Sequence, residues 1–388
     1  MNRSDSKRAI LGSLFPDKRR TRTEIAEDLS IRKSTVGALC AELLESGSLL
    51  GDESARRNAR LWINPSRYLA VGVQHKVDSL KAVLLDAGMN VLERESYPMD
   101  KSTGEERAHH ITRLIQEFVN RDPRIQKNIV RLGFSDFIPH DIGTGMKTKS
   151  IWMPGWGDVN IKADIESVLG IPTEIMRCTD AYSFAEHIFG ACRMERTFIT
   201  VQLDEGIGLS VFKEHGFLKG TTDIFGELGH IVHREAGEIC KCGNRGCLET
   251  VAGIDAIEKK VRENVEKGAY FRLPEDAKEL CLEDIVANAK EGNKLALLSI
   301  REAAKAIGDA LAVVVNVLGI TRIVLYGRLV QAGTIATEQI ARSLQQHCIY
   351  PLNQDAEICV SSLDEFGSSL GAAYAAMRSL FLDLPLRI

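Results

Sequence analysis

The sequence predicts an α/β protein in two parts: a small N-terminal module of three helices and a β-hairpin, then a larger body of alternating strands and helices. Three observations carry this expectation. The chain has 388 residues, more than one hydrophobic core usually supports. Up to Arg67 apolar residues recur at helical spacing between cap signals, whereas past Tyr68 short apolar runs alternate with amphipathic stretches, the pattern of a layered α/β fold. Charge divides at the same place: residues 1–67 hold 13 Lys and Arg against 9 Asp and Glu, a net +4, and the remainder nets −8. A basic module on an acidic body points to a polyanionic partner for the N-terminus.

Composition excludes other classes. With 44% hydrophobic and 26% charged residues, the chain has the balance of a soluble globular protein, not of a disordered or fibrous one. The longest apolar stretch, Ala310 to Ile320, is interrupted by Asn316 and is too short to cross a bilayer. The opening MNRSDSKR lacks the apolar core of a secretory signal. A cytoplasmic protein with no membrane partner is expected.

Arg3 to Leu14 reads as a first helix with Ile10, Leu11 and Leu14 on its apolar side, broken by Pro16 and Asp17. Thr21 and Glu24 form a T-x-x-E capping box that opens a second helix, each side chain satisfying a backbone N–H that the first turn leaves unpaired. After a turn at Ser30 and Ile31, residues Val36, Leu39, Cys40, Leu43 and Leu44 trace one face of a third helix, which Gly47 stops. The following LLGDESARRNARLWIN reads as a hairpin with its turn near Gly51 and Asp52. Two short helices, a tight turn and a hairpin make a winged helix-turn-helix, so double-stranded operator DNA is the expected partner. Arg32, Lys33, Ser34 and Thr35 open the recognition helix, and Arg56, Arg57 and Arg60 sit on or beside the wing, within reach of phosphates or a minor groove.

In the body, LAVGV and LKAVLLD read as paired strands, with Gly88 in the turn that follows. Helices are expected near 104–119, 160–169, 183–190 and 299–318, and strands near 129–134, 198–203 and 322–326. No short-period repeat is visible. Nine cysteines, an odd count, argue against a disulfide framework in a cytosolic chain. Three of them fall in GELGHIVHREAGEICKCGNRGCLET, which supplies His230, Cys240, Cys242 and Cys247. Four N/S ligands suit a closed, structural, tetrahedral Zn²⁺ site, and Gly243 and Gly246 let the loop curl around the ion. His233 competes by position. Thiol redox chemistry is the alternative, disfavoured because CxC lacks the C-x-x-C spacing.

The winged helix followed by this cysteine segment resembles the ROK family of repressors and sugar kinases, in its winged-helix regulator branch. The family's motif, roughly GE-x-GH and then CxCGxxGCxE, is matched by residues 226–249. The likeness extends over essentially the whole chain and is weakest around 74–79 and 134–150. It implies a two-lobed, actin-like (RNase H-like) α/β body with a sugar site in its cleft and zinc on His230, Cys240, Cys242 and Cys247. A DNA-binding domain at 1–67 would precede one lobe at 68–183, completed by 369–388, and a second at 184–368 with the zinc motif and an oligomerisation surface. The family's carboxylate base falls on Asp180 in CTDAYSFAE, and Thr179 stands where a sugar-binding Asn is usual. Glu227, His230 and Glu249 match the remaining sugar-contacting positions, where carboxylates accept hydrogen bonds from vicinal hydroxyls.

A kinase of this family has a glycine-rich D-x-G-G-T-K-like turn whose backbone N–H groups meet phosphate. Here Gln74 replaces the acid, and Lys76 and Val77 replace the glycines. In the second phosphate segment Asp204 and Glu205 would set two carboxylates against a polyphosphate, and the adenosine-side glycine run reads Tyr326-Gly327-Arg328. The expectation is therefore not an enzyme but a sugar-responsive regulator, most simply a repressor. It would bind operator DNA as a homodimer or dimer of dimers and be released or modulated by a sugar-type effector, with Asp180 a vestigial base position. The alternatives are an ATP-dependent sugar kinase with a DNA-binding arm, and a DNA-binding protein whose pocket is vestigial, a reading that Thr179 keeps open. At the recognition helix, Arg32 stands where a capping Ser is common and Gly37 where a polar residue is usual.

Overall fold

The computed structural model describes residues 3–16, 18–52, 59–100, 102–138, 159–193, 195–214, 216–218, 220–221, 224–273 and 280–382. Its N-terminal module folds as the caps and apolar spacing dictate, with helices at Arg3–Leu14, Arg22–Asp28 and Lys33–Glu45. Thr21 accepts from the Glu24 N–H at 3.2 Å, while the Glu24 carboxylate accepts from the Thr21 N–H at 2.6 Å, the reciprocal pairing of a capping box. Strands β1 (Arg20–Thr21), β2 (Leu49–Gly51) and β3 (Arg60–Ile63) pair antiparallel in the order β1-β3-β2. The sequence pattern does not reveal β1, because two residues make no alternation. Ile10, Ile25, Val36, Leu39 and Leu61 are buried in the module's core.

The first α/β sheet is built from β4 (Leu69–His75), β5 (Ser79–Asp86), β6 (Val91–Pro98), β7 (Ile129–Asp136) and β8 (Thr173–Arg177). Its order is β6-β5-β4-β7-β8, with β4 to β6 an antiparallel meander and β7 and β8 parallel to β4. Successive residues of a strand face opposite sides, and both sides of β4 are covered. Val71 and Val73 join Ile111 and Ile115 of helix Gly104–Val119 and Ile165 of helix Ile161–Leu169 in one core. On the other side, a Cβ added at Gly72 would lie 1.9 Å from the Ser369 carbonyl oxygen of the C-terminal helix Gly367–Phe381.

That helix also meets two further elements. A Cβ at Gly371 would lie 1.6 Å from the Ala181 carbonyl of helix Cys178–Ile188. At its other end, Phe15 of the winged helix places its ring 5.8 Å from Tyr374 and 5.1 Å from Phe381. Arg8 donates to the carbonyls of Ser379 at 2.7 Å and Leu380 at 3.0 Å, two of the acceptors a helix C-terminus leaves without a backbone partner.

The second sheet holds β9 (Thr197–Leu203), β10 (Ile207–Lys213), β11 (Gly216–Phe217), β12 (Arg322–Tyr326) and β13 (Glu357–Val360). Its order is β11-β10-β9-β12-β13, antiparallel through the first three and parallel beyond. Ile300, Ile307 and Leu311 of helix Lys294–Leu318 share a core with Ile323, Leu325 and Ile340. The strand order, counted within each sheet, is the same 3-2-1-4-5 twice. This is the α/β, actin-like architecture expected. The chain forms two compact units, one running through Ala185 and resuming at Asp364, the other spanning Glu186–Leu363, and the winged helix belongs to the first.

Two helices differ from expectation. The one read at 183–190 spans Cys178–Ile188, so Thr179 and Asp180 lie in its first turn and not ahead of it. A carboxylate there faces unpaired N–H groups at the positive end of the helix. The helix read from 299 begins at Lys294, capped by the Asn293 side chain, which accepts from the Ala296 N–H at 3.0 Å. Among the described residues, no helix is long and apolar enough to cross a membrane.

Because the atom opposing Gly371 is backbone, nothing flexible can yield to a side chain there. Gly371→Ala should destabilise the protein by about 1–3 kcal/mol, read as a lower midpoint in urea denaturation. An unchanged midpoint would contradict the close approach.

Candidate functional site

Segment 226–249 is folded back on itself by isolated bridges between Val232 and Cys247 and between Ile239 and Arg245. Gly246 sits at φ 74°, where a Cβ would lie 1.6 Å from the Arg234 carbonyl, so only glycine serves. The reversal collects His230, Cys240, Cys242 and Cys247, with one ligand atom of each within 4.8 Å of all the others. Cys240 Sγ lies 3.6 Å from His230 Nδ1, and Cys242 Sγ lies 3.6 Å from Cys247 Sγ. A tetrahedral ion with sulfur bonds of about 2.3 Å separates its sulfurs by roughly 3.8 Å. Burial, with the neighbouring thiols, pushes Cys247 up to about 12, so these sulfurs ionise together only with a cation among them. The donor set fits a metal ion. His233, the competing ligand by position, is not part of the cluster.

His230 joins this cluster to the acids beside it. With Nδ1 turned to Cys240, its Nε2 lies 4.0 Å from Glu227 Oε2. Glu249 opens the short helix Glu249–Ala252, accepts from the Ile207 N–H at 3.4 Å, and has its carboxyl pushed up to about 7 by burial. The second unit thus gathers Glu227, His230 and Glu249. In the first unit, Thr179 and Asp180 are both buried. Sequence reading missed the partner of Asp180: Arg177 donates from Nε at 2.9 Å and from a terminal nitrogen at 2.5 Å to its two oxygens. Such a bidentate pair is strong and directional. Its i, i+3 spacing is legible in sequence only once the helix start is known.

The segments expected to match a kinase's phosphate turns are held by arginines. Between β4 and β5 the Lys76 N–H donates to the Ser79 carbonyl at 2.8 Å, and the carbonyls of Lys76 and Val77 accept from Arg107 at 2.8 and 2.6 Å. Arg107 is itself buried and donates to His75 Nε2 at 2.8 Å, while His75 Nδ1 meets Asp136 at 3.0 Å. The turn between β9 and β10 departs from expectation. Asp204 does not face outward: it is 5% exposed and accepts from the Arg328 N–H at 2.6 Å and the Gln202 amide at 3.1 Å. Glu205 pairs with the Arg328 guanidinium at 2.7 Å, which also holds Glu283 at 2.9 Å. Both carboxylates expected to face a polyphosphate are therefore engaged by Arg328, Asp204 by its backbone N–H and Glu205 by its guanidinium.

On the winged helix, Arg32, Lys33, Ser34 and Thr35 are all exposed at the start of helix Lys33–Glu45. Arg32 is its N-cap residue and makes no side-chain cap bond, and Lys33 lies 3.4 Å from Glu27. Arg60 is exposed at the start of β3. Arg56 and Arg57 lie outside the described residues. Arg19, which the sequence reading passed over, stacks its guanidinium 4.4 Å from the ring of Trp62 on β3 and adds a cation beside the wing strand.

Removing one member of the buried Arg177–Asp180 pair leaves the other charge unpaired. Arg177→Met should cost about 3–5 kcal/mol, and adding Asp180→Asn should recover part of that loss, both read by urea denaturation. A neutral Arg177→Met would contradict the pairing.

Known proteins align along nearly all of this chain. It is 25% identical over 367 residues to the DNA-binding transcriptional dual regulator NagC of Escherichia coli (strain K12), an alignment covering 93% of this chain and 89% of that protein. It is 23% identical over 385 residues to the xylose repressor of Bacillus spizizenii, covering 98% and 96%. Among solved structures, a ROK family transcriptional regulator, a homologue of the E. coli Mlc protein, matches with a TM-score of 0.84 at 20% identity, over 98% of this chain and 96% of that one. A ROK family glucokinase from Streptomyces griseus, solved with glucose and AMPPNP, matches with a TM-score of 0.69 at 20% identity, over 79% and 99%. These likenesses establish the two-lobed, actin-like fold. Residues 70–379, beginning just past the winged helix, match the ROK family, and the chain belongs to that family.

Proposed function

We propose that this protein is a sugar-responsive transcriptional repressor. One observation carries the reading: a winged helix and a ROK body are joined in one chain. Relatives named as N-acetylglucosamine and xylose repressors align over 93% and 98% of it, whereas the S. griseus glucokinase aligns over 79%. Residues 1–67 are assigned to operator DNA, with Arg32, Lys33, Ser34 and Thr35 entering a groove and Arg56, Arg57 and Arg60 reaching backbone or minor groove. The segments 68–183 and 369–388 are assigned as one lobe and 184–368 as the other.

Ligand recognition is assigned to Thr179 and Asp180 in the first unit and to Glu227, His230 and Glu249 in the second. Zinc on His230, Cys240, Cys242 and Cys247 would brace the loop that carries two of these acids. A homodimer, or a dimer of dimers, suits palindromic operators. In support, Val317 is 76% exposed and Tyr350 73%, and Asn316 ties their segments together by accepting from the Ile349 N–H at 3.0 Å. Contiguous apolar surface of this kind marks an association face. A ligand that binds the DNA-releasing state better than the DNA-bound state lowers operator affinity by that difference alone.

A kinase reading is disfavoured by how these polar groups are engaged. Phosphoryl transfer requires positioned, available groups. Asp180 is committed to Arg177, and the carbonyls of the β4–β5 turn point to Arg107. Arg328 is committed to Glu205 and Glu283.

Fluorescence anisotropy against operator fragments selected from genomic DNA tests the reading. A sugar should weaken binding in nucleotide-free buffer, and a coupled assay with Mg-ATP across a sugar panel should stay at background. Sustained turnover abolished by Asp180→Asn would restore the kinase. Metal analysis gives a second check: Cys242→Ser should lose zinc and lower the melting temperature, because metal affinity is coupled to folding of its loop. Full zinc occupancy in that variant would refute the ligand set.

A further inference from the structure

Apart from the metal cluster, the second unit holds a separate pair of cysteines. Cys192 lies in the turn after helix Cys178–Ile188, and Cys359 lies on β13, an edge strand. Folding sets their thiols in side-chain contact, with Cys192 fully buried and Cys359 partly exposed. Cys359 Sγ also lies 3.6 Å from the Ile323 carbonyl.

Arg322, the first residue of β12, stands beside both. It pairs with Glu357, its register partner on β13, at 2.5 Å and reaches the Ala191 carbonyl at 3.5 Å. Its Nε is buried and makes no hydrogen bond, while the guanidinium lies beside the Cys192 sulfur. A buried cationic N–H without an acceptor is poorly served by two neutral thiols beside it. It is well served when the pair carries one negative charge. The other titratable neighbour, Glu186, accepts from the Ala191 N–H at 2.7 Å and from the Ser361 hydroxyl, and burial pushes its carboxyl up, which favours its neutral form. The Cys192 S–H and Arg322 hold Cys359 below the ordinary thiol range.

We infer that Cys359 and Cys192 form a peroxide-reactive pair in which partly exposed Cys359 is the attacking thiolate and buried Cys192 the resolving thiol. The thiolate attacks one oxygen of a hydroperoxide: an S–O bond forms, the O–O bond breaks, and hydroxide leaves and takes a proton from solvent. Cys192 then attacks the sulfenic acid: the S–S bond forms, the S–O bond breaks, and water leaves. The two cysteines lose two electrons, and the peroxide gains them. The product ties the turn that follows helix Cys178–Ile188 to edge strand β13. Partial exposure of one thiol, a low-lying thiolate and an adjacent resolving cysteine are the features that select such sites.

Full-length, zinc-loaded protein treated with a slight excess of hydrogen peroxide tests this. Free thiols are then alkylated in denaturant and the peptides mapped by mass spectrometry. The Cys192 and Cys359 peptides should be recovered joined, lighter by two hydrogens than their sum, and separated by dithiothreitol, with zinc retained. Cys192→Ser should leave Cys359 trapped as a sulfenic acid that dimedone labels, and Arg322→Gln should slow disulfide formation several-fold. Recovery of Cys192 and Cys359 as separate alkylated peptides, with oxidation falling on Cys240, Cys242 or Cys247 instead, overturns the inference. The wild-type map decides the question whether or not the variants fold.

Discussion

A helix made largely of small residues, Gly367–Phe381, holds the first unit together by letting its neighbours approach its backbone. Its residues are almost all buried. Gly72 and Gly133 clear one side for it on the central strands, where any Cβ would fall about 2 Å from its carbonyl oxygens. Gly371 brings it against the helix that carries Thr179 and Asp180. Its far end seats Phe15 and Arg8 of the winged helix. Interiors packed at this density transmit a displacement and do not absorb it. The helix that bears Asp180 and the module that bears Arg32 to Thr35 therefore rest on the same rigid element. The contacts join residues from opposite ends of the chain, so this packing completes only when the C-terminal segment is present.

Electrostatics follows from the same density. A carboxylate taken out of water needs a partner, and three find one: Asp180 in the Arg177 guanidinium, Asp204 in the Arg328 backbone N–H, with Glu205 on that residue's guanidinium, and Asp136 in His75, which Arg107 backs. Each arrangement occupies the polar groups it joins, at segments that the family resemblance sets against the working parts of its kinases. The metal cluster obeys the opposite logic. There the burial of several thiols in one place calls for a cation that the chain itself does not provide. Arg322 beside Cys192 is an intermediate case, a cation supplied by the chain for a sulfur pair.

Much of the local structure was legible in the sequence because its causes are local. The Thr21–Glu24 box, the apolar face from Val36 to Leu43, the glycines of the cysteine loop and the CxC spacing each act within a few residues, and the structure brings His230, Cys240, Cys242 and Cys247 together. The start of the Asp180 helix was misplaced because Thr179 and Asp180 suit a cap and a first turn equally well. β1, β11 and β13 escaped notice because strands of two to four residues carry too little alternation to stand out, and the longer β6, β8 and β10 were passed over as well.

By itself, then, the sequence determined the class of each part: a basic winged helix, an α/β body and a cysteine-rich loop whose donors suit a metal, all written in short-range spacing and charge. Only the tertiary structure decided that the same 3-2-1-4-5 strand order occurs twice, for which no residue-level repeat exists to be read. It alone decided the partner of Asp180, the inward turn of Asp204 onto Arg328 and the meeting of Cys192 with Cys359. The physical reason is the same in each case. A buried charge or thiol takes whichever partner the packing of distant segments brings within about 3 Å, and that choice is a property of the assembled core, not of the residues flanking it.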